Sequence, residues 1–239
     1  MRTEIDITFD FQSETPPGKD PDTASPTLRS YHKLLWSKTL PGGADFALDA
    51  SGRNYLYHLS GLGEFWLSSD AVVPSFSRNP RMSHIISQIP QEDLDSFNSL
   101  GYTIGGVMVF PGNRVDGKMT VNQARGCYGS IKDRFDLTLE CIRRHYCDES
   151  SPLGEVLERY ADFFGLFGDF RGYVEYFLLQ DLVSAECSAV RFSAPFEDFA
   201  TASPLPGSVE AYRDYRQRSM EFIDARNRRI LEFCSAPAS

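Results

Sequence analysis

The chain has no run of the ~20 apolar residues that a membrane-crossing helix needs. Its longest apolar candidates, around 163–167 and 173–183, are interrupted by glycine or by acidic and amide side chains. It has no excess of positive charge either. Lys and Arg number 24 against 33 Asp and Glu, a net charge of −9, and both halves of the chain are acidic. A basic face for phosphate backbones is therefore missing, and a general nucleic-acid binder is not expected. Cysteine is sparse and odd in number. Cys127, Cys141, Cys147, Cys187 and Cys234 show no zinc spacing, and reduced thiols in a cytoplasmic protein are the simplest expectation. Met1 leads into Arg2, Thr3 and Glu4 without an apolar stretch, which fits the same compartment. The glycine pairs Gly61 and Gly63, and Gly105 and Gly106, complete neither a dinucleotide fingerprint nor a phosphate loop. None of the four histidines stands in a metalloprotease pattern.

What the chain does have is aromatic weight, with 18 Phe and 11 Tyr, and clear punctuation. Residues 3–12 alternate, with Ile5, Ile7, Phe9 and Phe11 against Glu4, Asp6, Thr8 and Asp10, which predicts a half-buried strand. Ser25 before Pro26 predicts a helix start, and that helix carries Leu28, Tyr31, Leu34 and Leu35. Residues 45–70 read as a meander with one turn over 51–54, and 90–99 as a short helix. The apolar run 102–110 predicts a central strand, with Gly105 and Gly106 marking a bulge or a close approach to the backbone. Helices are expected over 130–147, from Ser151 and Pro152 to about Gly165, after Asp169, and over 209–233. A short strand at 189–192 is expected to rejoin the sheet. The last helix interleaves its arginines with carboxylates, as an ordinary surface helix does. The fold class is α+β. A mixed, mostly antiparallel sheet from residues 1–120 is covered by helices from 121–239 within one domain spanning 1–239.

The stretch 130–147 carries the densest chemistry. Wound as a helix, it lines up Ile131, Phe135, Leu139, Ile142 and Tyr146 on one face. Asp133, Asp136 and Glu140 then share the opposite face, where three oxygens could hold Mg²⁺ or Mn²⁺. The plainer alternative is a solvated face in which Glu140 pairs with Arg144. Arg134 and His145 fall on the shoulder of the apolar stripe, where a charge must find a partner. Asn122, Gln123 and Arg125 precede that stretch, and Arg125 with Arg134 would suit a phosphate or carboxylate ligand. The alternative makes both arginines buried partners of carboxylates such as Asp133 or Asp181. Ser69 and Asp70 end a strand and would face a cleft or cap a turn. His32 and His145 are the candidate general bases, with packed histidines as the alternative. Cys141 and Cys147 near His145 lack a helix N-terminus to lower a thiol pKa.

Several phrases resemble an uncharacterised bacterial protein family. They are the run from Ser25 through His32 to Lys38, Tyr102 to Asn113, Asn122 to Gly126, Asp133 to Tyr146, and Phe177 to Val183. The resemblance spans nearly the whole chain and implies a bacterial cytoplasmic protein with no assigned activity. Two functional expectations follow from the residues. One is a small anionic ligand, such as a nucleotide, held by Asn122, Arg125 and Arg134 in a cleft between sheet and helices. The other is a non-catalytic interaction module, an immunity or regulatory subunit, whose acidic surface meets a basic protein.

Overall fold

A computed structural model describes residues 5–51 and 56–235. Two antiparallel sheets lie in the first half: β1 (Lys38–Thr39) with β2 (Asp45–Phe46), and the three-stranded order β3 (Leu56–Ser60), β4 (Gly63–Ala71), β5 (Val107–Pro111). Around them run α1 (Pro21–Ala24), α2 (Pro26–Trp36), α3 (Ser83–Ile86), α4 (Gln91–Gly101) and α5 (Val121–Cys127). The second half is helical, with α6 (Phe135–Tyr146), α7 (Gly154–Glu158), α8 (Ala161–Gly165), α9 (Phe170–Tyr176) and α10 (Val209–Ser235). The class is α+β, as the patterning implies. No helix among the described residues is long and apolar enough to cross a membrane.

Local chemistry explains the boundaries. The Ser25 hydroxyl accepts from the Leu28 N–H and starts α2, with Pro26 at the first turn. Asp169 caps α9 through the Gly172 N–H. The alternation at the N-terminus does not yield a strand in residues 5–10; positions 3–4 lie outside the described residues. Asp6 accepts from the backbone and hydroxyl of Thr8, and Asp10 caps a 3₁₀ turn at Phe11–Glu14. These side-chain bonds satisfy backbone donors that a ladder would need, so the carboxylates win locally. Ile5 and Phe11 are buried all the same. The turn expected over 51–54 falls largely outside the described residues.

Four further expectations are corrected. The run 102–110 is strand only from Val107, after a 3₁₀ turn at Ile104–Gly106, and β5 lies at the sheet edge. It is buried throughout, with α10 on the 104–106 turn and the start of the strand and with Phe135 and Arg125 against Phe110. Arg226 donates to the Gly105 and Val107 carbonyls, and the Asn227 amide oxygen accepts from the Gly105 N–H. Gly105 is needed for that close approach: a Cβ there would sit 2.6 Å from Asn227 Oδ1 and 2.7 Å from the Ile223 carbonyl oxygen. The helix expected from 130 begins only at Phe135, since Lys132 and Asp133 turn left-handed at φ 49° and 62°. Residues 151–165 form two short helices, and Ser151 caps neither. Residues 189–192 contribute a single bridge, Val190 to Val183, rather than a sheet strand.

The main core runs from Phe11 and Trp36 through β4 and β5 to the Phe163, Phe167 and Tyr173 layer. A second cluster joins Phe76, Ile85, Leu94 and Phe97 to Tyr212 and Tyr215. α10 serves both, since its Phe222, Ile223 and Ile230 belong to the main core.

Candidate ligand pocket beside Asp22

The last turns of β4 carry Ser68, Ser69 and Asp70, paired with Phe110, Val109 and Met108 of β5. α5 faces them. Its start is fixed by a capping box in which the Thr120 hydroxyl accepts from the Gln123 N–H and the Gln123 side chain returns the bond. That presents Asn122 to the strand, where its amide nitrogen donates to Ser68 Oγ at 3.2 Å and to the Ser69 carbonyl at 3.5 Å. On the third side, Asp20 caps α1 through the Asp22 N–H. α1 brings the Asp22 carboxylate against Ser69, where Oδ2 accepts from the Ser69 N–H at 2.5 Å and Oδ1 from its hydroxyl. Between these elements opens a cavity of about 660 Å³, with Trp66, Ser69, Asn122, Gln123, Asp22 and Arg114 in its wall. The Asn122 side-chain oxygen, Oδ1, is buried there and has no hydrogen-bond partner among the described residues.

Asp22 is the unusual group. Burial lifts its carboxyl to about 7, helped by the charges of Asp20 and Asp70, against the two bonds from Ser69. Asp70 is lifted to about 6, first by burial, with Arg125 opposing and Asp133 adding. Its side chain is 37% exposed, however, so solvent screens that lift and pH dependence should rest on Asp22. The unfolded chain loses the Asp22 proton near pH 4 and the folded chain only near pH 7. The folded state therefore holds an extra proton in that window, and its stability falls as pH rises through it, by on the order of 4 kcal/mol. Asp22→Asn removes this slope. Urea unfolding from pH 4 to 8 should show a wild-type decline that the variant lacks, with the variant the more stable at pH 8. Parallel curves for the two proteins would mean that Asp22 titrates normally.

Of the residues singled out from sequence, Ser69, Asp70, Asn122 and Arg125 do converge. Ser69 and Asn122 line the cavity, with Asp70 and Arg125 beside them. Arg125 is not a ligand-facing cation. It is fully buried and donates to Asp70 Oδ2 at 2.8 Å, to Thr138 Oγ1 at 2.9 Å and to the Asp133 carbonyl at 2.7 Å. Arg134 lies elsewhere, in a two-pronged pair with Asp136 at 3.0 and 2.5 Å and against the carbonyls of Pro204 and Ala194. Both arginines are thus buried carboxylate partners, though of Asp70 and Asp136 rather than Asp133 or Asp181. Asp181 pairs with Arg229.

The proposed metal triad is dispersed. Asp133 precedes the helix, Asp136 accepts from Arg134 and the Ser193 N–H, and Glu140 is clamped by Arg143 and Arg144. No group of three or more His, Cys, Asp or Glu is placed to hold a metal among the described residues. Asp136 and Glu140 are buried, so the face is not solvated, although the Glu140–Arg144 pair of that alternative does form. The His32 ring is buried, accepts from Trp36 Nε1 and is driven down to about 3, by burial first and then by Arg226 and Arg29. It is a neutral packing group and not a base. His145 packs on Tyr146 and Phe164, with Glu158 3.9 Å away, and stands apart from the Asp22 cavity. Cys141 is buried with its thiol pushed up to about 12, which removes it as a nucleophile.

Sequence reasoning missed Asp22, which sits in a stretch rich in turn formers. The available signal was Asp20 before Pro21, the same cap-and-proline pair that located α2 at Ser25 and Pro26.

No curated protein and no solved structure matches the chain. The chain belongs to a family of unknown function, DUF6994, whose sequence profile matches residues 5–230, the coverage that the resemblance implied.

Proposed function

We propose that the cavity beside Asp22 takes a small neutral ring-bearing ligand rich in hydroxyls, a sugar or a nucleoside, and that Asp22 exchanges a proton with it. The observation that carries this reading is a buried carboxyl held near neutrality in the wall of an open cavity, the condition under which an acid group can give or take a proton at physiological pH. Its neighbours suit such a ligand. The Trp66 indole packs on Tyr57 with ring centroids 4.5 Å apart and remains 38% exposed in the cavity wall, which leaves aromatic surface for a ligand ring. Ser69, Gln123 and the unpartnered Asn122 oxygen offer donors and acceptors for hydroxyls. A strongly anionic ligand suits this cavity less well, because two carboxylates, Asp20 and Asp22, line it beside Arg114, and Arg125 is consumed by Asp70. With five free cysteines, we read the protein as working in a bacterial cytoplasm.

Tryptophan emission tests the proposal directly. The chain has two tryptophans, and Trp36 is buried. Titration with glucose, N-acetylglucosamine, adenosine and uridine at pH 6 should give saturable quenching with at least one of them. The response should vanish in Trp66→Phe and weaken about tenfold or more in Asn122→Ala, the loss of one well-placed polar contact with a ring hydroxyl. Binding should also weaken as pH rises past 7. Flat titrations with all four compounds would remove the reading.

A further inference from the structure

A second cavity, independent of the Asp22 pocket, lies on the other side of the segment that carries α1. It is a groove of about 910 Å³ between residues 16–21, residues 73–80, the end of α4 and the turn at 132–133. Three cations reach it from three separate elements: Lys19, Arg78 and Lys132. None of these side chains has a hydrogen-bonding or ion-pairing partner among the described residues. Among the described residues that line the groove, Asp133 is the single carboxylate. In a chain of net charge −9, three uncompensated cations around one concavity need a reason. Arg125 beside the Asp22 cavity, by contrast, is spent on Asp70.

The backbone adds an independent observation. Among the described residues seven non-glycine positions adopt left-handed φ angles, and three of them, Phe76 (57°), Lys132 (49°) and Asp133 (62°), line this groove. A bulky aromatic in that region is an outlier that surrounding structure must enforce. Such positions gather at ligand clamps, where the conformation aims a side chain. Here the turn at 132–133 breaks what would otherwise be an earlier start of α6 and leaves the half-buried Lys132 in the wall.

We propose that this groove is an anion site for a phosphate-bearing small molecule of nucleoside diphosphate size, with Lys19, Arg78 and Lys132 meeting the phosphates. The volume is that of a small-ligand site, and the chemistry is charge-assisted donation to phosphate oxygens from a guanidinium and two ammonium groups. The anionic ligand that the sequence suggested for Arg125 and Arg134 is thereby reassigned to cations that are unspent. The proposal stands apart from the Asp22 reading, because Asp22→Asn should leave it untouched.

Isothermal titration of the full chain with pyrophosphate and with ADP, at low and moderate salt, tests it. Lys19 and Arg78 are exposed, so Lys19→Gln and Arg78→Gln are expected to fold normally. One-to-one binding of both probes is expected. Each substitution should weaken it about tenfold, and added salt should weaken it further. Adenosine should not compete. Absence of heat with either probe, or binding that Lys19→Gln and Arg78→Gln leave unchanged, would overturn the assignment.

Discussion

Replacing Arg134 by Met should lower the free energy of unfolding by about 3–5 kcal/mol, the usual effect of removing one partner from a buried ion pair. Arg134 and Asp136 are 1% and 3% exposed by side chain, and no solvent is at hand to rescue an orphaned carboxylate. Asp136 also accepts from the Ser193 and Leu137 N–H groups, and Arg134 reaches the carbonyls of Pro204 and Ala194. The pair therefore latches the start of α6 to the segment that leads toward α10. Urea unfolding of Arg134→Met, Asp136→Leu and the double variant would measure it. The double variant should lose less than the sum of the singles, because neither charge is then left buried alone. The ligand response at the Asp22 cavity should be unchanged in all three. A loss below about 1 kcal/mol for Arg134→Met would mean that the pair contributes no more than an exposed one.

Gly105→Ala should cost about 3 kcal/mol or more, at the upper end for inserting a methyl group into a packed interior. The methyl would meet the Ile223 carbonyl oxygen at 2.7 Å, and backbone atoms cannot swing aside as a flexible side-chain end can. Relief requires α10 to retreat from the 104–106 turn. That retreat stretches the bonds from Arg226 to the Gly105 and Val107 carbonyls and the bond from Gly105 to Asn227. Thermal unfolding would register the change. Gly61→Ala is the control, since nothing lies within 4 Å of its added carbon. Equal melting temperatures for the two variants would show that α10 is not seated on the glycine as described.

Features governed by neighbours in sequence are legible in it. The Ser25 and Asp169 caps, the β3–β4 hairpin and the long last helix follow from local patterning, whereas the first strand of the expected meander pairs with β1 in a separate sheet. The failures were local contests that periodicity does not register. At residues 5–14 the Asp6 and Asp10 side chains take backbone donors that alternation assigns to a ladder. At 130–134 the left-handed pair Lys132 and Asp133 ends what a helical wheel treats as continuous, and the acidic triad scatters with it. The site was half legible. Asn122, Arg125, Ser69 and Asp70 stand out in the sequence as polar groups near element ends, but their mutual arrangement depends on contacts between distant residues. Arg125 finds Asp70 across 55 positions and Asp22 finds Ser69 across 47, and no spacing rule reaches that far.

The two hydrophobic clusters share α10, and translation delivers that helix after every other described element. Until residues 209–235 leave the ribosome, the 104–106 turn with the start of β5 and the aromatic floor around Phe97 lack the helix that packs on them. A nascent chain of this protein thus carries both greasy openings through much of the second half of its synthesis, the situation in which holding chaperones compete with aggregation.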